Sequence, residues 1–144
     1  MTLGDLEQAA MDYTVALRLD PEHVDARGQR GVACLYAGKF EHAAKDLSEA
    51  IGKRPDDARL FLHRGKCHRL MKELDAAIAD LSTAIQLDAE CAEAYRERSL
   101  ALTEKGDASA AESDDAQADR LTDSNANGVV RASAESSSRT NFAH

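Results

Sequence analysis

The sequence predicts an all-α protein, a solenoid of stacked antiparallel helix hairpins. The main observation is a step of 34 residues that carries two series of alanines, Ala9, Ala43, Ala77 and Ala111, and Ala16, Ala50, Ala84 and Ala118. A repeat of this length is typical of helical hairpins that bury their apolar faces only against neighbouring hairpins. Composition agrees, because Trp is absent and aromatic residues make up 4% of the chain, which leaves Ala, Leu and Ile to build a core.

Apolar residues spaced three and four apart predict seven helices. The first covers residues 4–19 and ends at Asp20-Pro21. Three hairpins follow, with helices predicted over 24–37 and 40–51, over 59–71 and 74–87, and over 92–104 and 108–121. Gly38, Lys72-Glu73 and Gly106 supply their turns. Because the first helix has no partner before it, the repeat domain 1–121 divides into a half repeat over 4–23 and full repeats over 24–57, 58–91 and 92–121.

The two ends of this array differ in polarity. In the last helix Asp115 takes the place that Leu47 and Leu81 hold in earlier repeats, which predicts a solvent-exposed cap because burying a carboxylate is costly. The first helix presents apolar side chains instead, so we expect either that this chain is the C-terminal part of a longer array or that the helix associates with another copy. The polar segment 122–144 has no helical period, which predicts a disordered tail.

Charge and cysteine usage exclude several classes of function. The net charge of −8 offers no general basic field for phosphates, so we expect no nucleic-acid partner. No apolar run approaches the roughly 20 residues of a membrane span, and the opening residues lack the features of a signal peptide, so we expect a cytoplasmic protein with no membrane partner. Three cysteines without a Cys-x-x-Cys spacing, and His63 with Cys67 as a mere pair, indicate neither a disulfide framework nor a metal site. We expect no cofactor.

Charged residues follow the same step. Arg30, Arg64 and Arg98 recur in the first helices of the hairpins, and Asp12, Asp46, Asp80 and Asp114 recur in the second helices. Two pairings are open, either within a hairpin, as Arg30 with Asp46, or between neighbours, as Asp46 with Arg64. We expect either pairing to fix the register of the helices, because a catalytic group would not recur in every repeat.

These positions resemble the tetratricopeptide repeat, whose pattern is a large residue, Leu-Gly and Tyr in the first helix, with Ala, Phe, Ala and Pro in and after the second. In the second complete repeat those places are held by Phe61, Arg64, Gly65, His68, Ala77, Leu81, Ala84 and Ala89. The resemblance covers residues 4 to about 121. It implies a right-handed superhelix whose first helices line a concave groove, and a noncatalytic module for protein–protein interaction. No spacing typical of a catalytic triad or a phosphate loop points to an enzyme.

A local excess of basic residues predicts the binding site. Residues 58–72, the central first helix, carry five Lys and Arg residues and no Asp or Glu in an otherwise acidic chain. Spacings of four, three and three residues put Arg59, His63, Lys66 and Arg69 on one helix face, which the resemblance places in the groove. The predicted peptide site consists of Gln29, Arg59, His63, Lys66, Arg69 and Arg96. We expect it to bind an acidic segment or a C-terminal carboxylate of a partner protein.

Some members of the family hold the carboxylate-ending tails of heat-shock chaperones with a clamp of Lys, Asn and Arg. In the three complete repeats the corresponding places are Gly28, Val32, His63, Glu93 and Glu97, and these acids would repel a carboxylate. If a missing helix supplied the first places of the clamp, Gln29, Arg59 and His63 would take the others. Two alternative functions are oligomerisation through the uncovered first helix and a regulatory extension of a larger protein.

Overall fold

The computed structural model describes the backbone of residues 1–142 and the side chains of residues 1–125. This part of the chain forms seven helices and no strand: α1 (Leu3–Leu19), α2 (Val24–Tyr36), α3 (Phe40–Lys53), α4 (Ala58–Leu70), α5 (Leu74–Leu87), α6 (Ala92–Lys105) and α7 (Ala108–Phe142). The predicted all-α fold is confirmed, and the bounds of α1 to α6 lie within two residues of those expected. In the described residues, no helix combines the length and the apolar character that crossing a membrane requires.

Successive helices pack against one another, and the first helices α2, α4 and α6 also contact each other along the stack. The interior repeats with the step found in the sequence, because the completely buried side chains of the second helices α3 and α5 are Ala43, Leu47 and Ala50, and Ala77, Leu81 and Ala84. Burying a leucine side chain stabilises a fold by about 1.5–3 kcal/mol. The 34-residue step is therefore a packing period.

Two glycines let the helices of a hairpin approach closely. A Cβ atom at Gly31 would lie 2.9 Å from Cγ of Leu47, and one at Gly65 would lie 2.8 Å from Cγ of Leu81. Both distances are shorter than a carbon–carbon contact allows. The first helix of each of these hairpins therefore needs a residue without a side chain at the point where it crosses the leucine.

The recurring charges pair within hairpins, which decides between the two pairings that the sequence left open. Arg30 donates from Nε and Nη2 to the two carboxylate oxygens of Asp46, at 2.7 and 2.8 Å. The same fork joins Arg64 to Asp80 and Arg98 to Asp114. The remaining Nη1 of each arginine donates at 3.2 Å to a hydroxyl of the preceding second helix, on Thr14, Ser48 and Ser82 in turn. Each arginine therefore joins three helices, and its bidentate geometry fixes their register.

The three hairpin turns share one backbone conformation at one repeat place. Gly38, Lys72 and Gly106 have φ angles of 81°, 64° and 99°. This left-handed region is freely open to glycine but costs a residue with a Cβ atom roughly 1 kcal/mol. Lys72 therefore makes the middle turn the strained one.

The last helix is longer than the sequence indicated. We expected it to end at about Leu121, whereas the backbone is helical to Phe142. Residues 122–142 contain no proline and a single glycine, Gly128, so no residue there forces a helix to end. The side chains from residue 126 onward and all of residues 143–144 lie outside the described part, so a separate tail over 122–144 stays a prediction.

Candidate functional site

A cleft opens between the first halves of α2 and α4, and three of the six predicted site residues line it, namely Gln29, Arg59 and His63. Its volume is about 220 Å³. Gly28 also lines it, and a Cβ atom there would lie 3.2 Å from Cδ2 of Leu60. The two first helices therefore touch below the cleft, while the polar side chains of Gln29, Arg59 and His63 line the space above. Asp25, which is paired with Arg54, and Asp57, which accepts from the backbone N–H of Arg59, also line it.

The imidazole of His63 is incompletely hydrogen-bonded. Its Nδ1 atom is buried and has no hydrogen-bond partner among the described residues. Burial, followed by the nearby charge of Lys66, lowers the pKa of His63, so the ring is neutral at pH 7. A buried polar atom without a partner costs free energy.

Lys66 is buried, with 8% of its surface exposed. Its Nζ atom donates to the hydroxyl of Tyr36 at 3.2 Å and forms an ion pair with Glu93. Burial opposes the charge of this ammonium, but the hydrogen bonds to Glu93 and Tyr36 outweigh burial and raise the pKa of Lys66. Because Tyr36 belongs to α2 and Glu93 to α6, Lys66 connects three first helices.

The other two basic residues of the predicted site are also paired. Arg69 donates from Nε to Glu97 at 3.0 Å and from Nη1 to Glu104 at 3.2 Å. Arg96 lies toward α7 instead, with its Nη2 atom 3.3 Å from a carboxylate oxygen of Asp119. Gln29, Arg59 and His63 therefore lie together at the cleft. Lys66 and Arg69 of α4 are neutralised by acids of α6, and Arg96 contacts α7 instead.

The acidic partners of Lys66 and Arg69 were missing from the predicted site. Glu93 and Glu97 lie 27 and 28 residues after the cations that they neutralise. The signal for them was the three glutamates of the first helix that follows the basic one. Arg59 differs from Lys66 and Arg69, because the described side chains include no acid that pairs with it, and it remains exposed at the rim of the cleft.

The described residues contain no group of three His, Cys, Asp or Glu side chains that could hold a metal ion. His63 and Cys67 both belong to α4, but Cys67 is completely buried. Burial raises the pKa of the Cys67 thiol to about 12, and a protonated thiol is a poor metal ligand.

Comparison with known proteins identifies the family. The model of the tetratricopeptide repeat matches residues 1–58, 30–89 and 72–126, so the chain belongs to this family. It is 33% identical over 86 residues to U-box domain-containing protein 70 of Oryza sativa subsp. japonica, covering 60% of this chain and 11% of that protein. It is 27% identical over 93 residues to the Hsp70-Hsp90 organizing protein of Triticum aestivum, covering 65% of this chain and 16% of that protein. The matched repeats are thus a small part of these relatives.

Solved structures agree on the fold. MamA 41-end from Desulfovibrio magneticus RS-1 superposes with a TM-score of 0.80 at 24% identity, covering 85% of this chain and 69% of that chain. The second TPR of Spaghetti (RPAP3), bound to the HSP90 peptide SRMEEVD, superposes with a TM-score of 0.67 at 23% identity, covering 74% of this chain and 98% of that chain. At such identities the likeness shows the solenoid fold alone.

Proposed function

We propose that this protein is a noncatalytic interaction module that binds a peptide segment of a partner protein in the groove lined by α2, α4 and α6. The observation that carries the proposal is the cleft between α2 and α4, where the exposed guanidinium of Arg59 has no acidic partner among the described side chains. The related fold of Spaghetti (RPAP3) was solved with a peptide bound, which supports a peptide as the class of ligand.

The ligand that fits this cleft is an acidic side chain or a C-terminal carboxylate. The guanidinium of Arg59 is exposed and offers two parallel N–H donors, the geometry that a carboxylate accepts best. Farther along the groove, Lys66 and Arg69 are balanced by Glu93 and Glu97, so that stretch supplies little net attraction. We therefore place the charged end of the peptide at the cleft between α2 and α4.

Fluorescence anisotropy with the labelled acidic peptide SRMEEVD tests this site. Arg59→Glu should weaken binding by about 10- to 100-fold, since a hydrogen bond to a charged group contributes roughly 1.5–3 kcal/mol. Lys45→Glu makes the same charge change at an exposed residue of α3 and should bind like the parent protein. Lys66→Glu is a poor test because it would place a carboxylate at a buried position beside the carboxylate of Glu93. Amidation of the peptide's C-terminus shows whether the terminal carboxylate is the group bound.

Equal losses in Arg59→Glu and Lys45→Glu would mean that only the overall charge matters, and the cleft would then be excluded as the binding site. Unchanged binding in Arg59→Glu, or no binding of the acidic peptide by the parent protein, would also contradict the proposal.

We expect the affinity for the peptide, measured in the same assay, to depend on pH. Because the pKa of His63 is lowered in the free protein, the ring takes up a proton only below neutral pH. A bound carboxylate favours the protonated ring, so peptide binding takes up a proton and the affinity should increase as the pH falls from about 7.5 to about 5.5. His63→Gln should remove this dependence. A parent protein whose affinity is constant over the same range would show that His63 does not face the bound group.

Self-association through α1 is a second proposal, and one observation favours it. Met11, Val15 and Leu19 form a stripe with exposed fractions of 63%, 54% and 85%. The same places in α3 are held by Lys45, Glu49 and Lys53. An apolar stripe where a sister repeat is charged is typical of a contact surface. Sedimentation at several concentrations tests it, because a monomer throughout would exclude this association.

The cellular setting of the module is likewise a proposal. We place it in the cytoplasm, because Cys34, Cys67 and Cys91 are unpaired thiols and that compartment keeps thiols reduced. Since the chain covers only 11% and 16% of the two relatives described above, a role as the regulatory extension of a larger protein is also proposed. Fractionation of cells that produce the tagged protein would test the compartment, and recovery in the membrane fraction would contradict it.

A further inference from the structure

A second, mainly apolar cleft lies between α1 and α2. It has a volume of about 540 Å³, and its walls include Leu6, Ala9 and Tyr13 of α1 and Val32, Ala33 and Tyr36 of α2. We call this cleft the open seat. Gln29 and Val32 line both clefts, but Arg59 and His63 do not line the open seat, so a substitution of Arg59 distinguishes the two sites.

The repeat identifies what fills such a place elsewhere in the molecule. One step of 34 residues takes Ala9 and Tyr13 to Ala43 and Leu47, which are completely buried and packed against α2. In α1 the corresponding side chains are only half-buried. In the facing wall, Ala33 is already buried, with 6% of its surface exposed, and the same step takes it to Cys67, which is completely buried. The open seat therefore has the two walls between which a first helix packs elsewhere in the stack, but no first helix among the described residues lies there.

Packing in the complete hairpins specifies one property of a helix that would fit. Gly31 lies against Leu47, and Gly65 lies against Leu81, at distances that exclude a Cβ atom. Tyr13 takes the place of these leucines and has a larger side chain. A helix in the open seat must therefore present glycine, or a residue nearly as small, where it crosses Tyr13.

Charge specifies a second property. Asp12 takes the place of Asp46, Asp80 and Asp114, each of which holds an arginine through two hydrogen bonds. Asp12 is exposed, and the one hydrogen bond that its carboxylate accepts from a described side chain comes from Gln8 of the same helix, at 3.0 Å. In the hairpins the arginine directly precedes the small residue, as in Arg64-Gly65. A helix with an Arg-Gly pair therefore complements both Asp12 and Tyr13.

We propose that the open seat binds an amphipathic helix of a partner protein, with an arginine against Asp12 and a glycine or similarly small residue over Tyr13. A second copy of this chain fits less well. In the described part, the pairs at this place are Arg30-Gly31, Arg64-Gly65 and Arg98-Ser99, and each arginine is held in its own hairpin. Another copy would have to open a hairpin to supply one.

A labelled peptide with the sequence of residues 58–73 tests the open seat, because it contains Arg64-Gly65 in a first-helix sequence. We expect saturable one-to-one binding in fluorescence anisotropy. Asp12→Lys should weaken it at least tenfold, by about the value of a hydrogen bond to a charged group. Glu7→Lys makes the same charge change on α1 away from the open seat and should bind like the parent protein. A peptide carrying Gly65→Leu should bind at least tenfold more weakly, because the added side chain meets Tyr13.

Arg59→Glu should leave binding of this peptide unchanged, which separates the open seat from the peptide site. Absence of saturable binding, or equal losses in Asp12→Lys and Glu7→Lys, would overturn the proposal.

A fusion supplies a second measurement that does not depend on the affinity of a short free helix. Residues 58–70 joined in front of Leu3 would complete the half repeat, since Gly4 occupies the repeat place of the turn residues Gly38 and Lys72. We expect a higher thermal unfolding midpoint, and we expect Asp12→Lys in the fusion to remove the increase. A fusion that unfolds at the temperature of the parent chain would overturn the proposal. So would self-association of the unfused chain that Asp12→Lys abolishes, because that result assigns the open seat to a second copy.

Discussion

The two ends of the array have the same backbone and opposite surface chemistry. At the C-terminal end Arg98 holds Asp114, and Asp115 faces solvent where the interior repeats bury a leucine. At the N-terminal end, Asp12 accepts no hydrogen bond from an arginine within the described residues, and Tyr13 is half-buried. The comparison teaches that the period specifies the backbone positions, whereas the side chains at those positions decide whether an end faces water or another helix.

This contrast has an energetic consequence. In a repeat array each helix is stabilised mainly by its nearest neighbours. α3 and α5 each lie between two first helices, but among the described helices α1 contacts only α2. Equivalent substitutions should therefore cost much less in α1 than in α3 or α5, and pairs of variants one or two repeat steps apart measure the difference directly.

The largest difference is expected for the side chain at the centre of each second helix. Leu81→Ala should lower the free energy of unfolding by about 3–4 kcal/mol, because Leu81 is completely buried and its loss leaves a cavity. Tyr13→Ala, at the same repeat place, should cost less, about 1–2 kcal/mol, since that side chain is only partly buried. Urea unfolding measures both. Equal losses would mean that α1 is covered as well as α5.

A smaller difference is expected for the carboxylates. Asp80→Asn should cost about 2 kcal/mol, because Arg64 keeps its charge and loses its anionic partner in a partly buried site. Asp12→Asn should cost less than about 0.5 kcal/mol, since an exposed carboxylate without an arginine contributes little. Thermal or urea unfolding of the two variants provides the check. A comparable loss in Asp12→Asn would show that α1 already has a cationic partner.

The smallest effect is a gain at the middle turn. Lys72→Gly should stabilise the protein by about 0.5–1 kcal/mol, because it removes the strain of a left-handed lysine. It also removes the exposed ion pair between Lys72 and Glu104, whose contribution is small. Lys72→Ala loses the same ion pair but keeps the strained backbone, so it is the matched control. If both variants lowered stability equally, the turn would not be strained.

Most of the fold could be predicted because a packing period leaves its trace directly in the sequence. Ala43 and Ala77 mark the helix contacts, and Gly38 and Gly106 mark turns. The end of α7 could not be placed by the same means, since residues 122–142 lack both the apolar period and a residue that forces a helix to end. Polarity alone does not distinguish a solvated helix from a chain without structure.

The candidate site could be predicted only in part. The basic face of α4 is evident in the sequence, but the acids that neutralise Lys66 and Arg69 belong to the next first helix, and their approach depends on the superhelical stacking. The choice between Arg30 with Asp46 and Asp46 with Arg64 was likewise undecidable, because both pairings preserve the period. The structure shows that each arginine contacts both neighbours, through a carboxylate on one side and a hydroxyl on the other.

Native-state hydrogen exchange tests most directly whether the N-terminal end is uncovered. In the monomer, amides of α1 should exchange faster than those of α3 and α5, and the peptide of residues 58–73 should slow exchange in α1 while leaving α5 unchanged. Protection of α1 equal to that of α3 without any added helix would contradict the account.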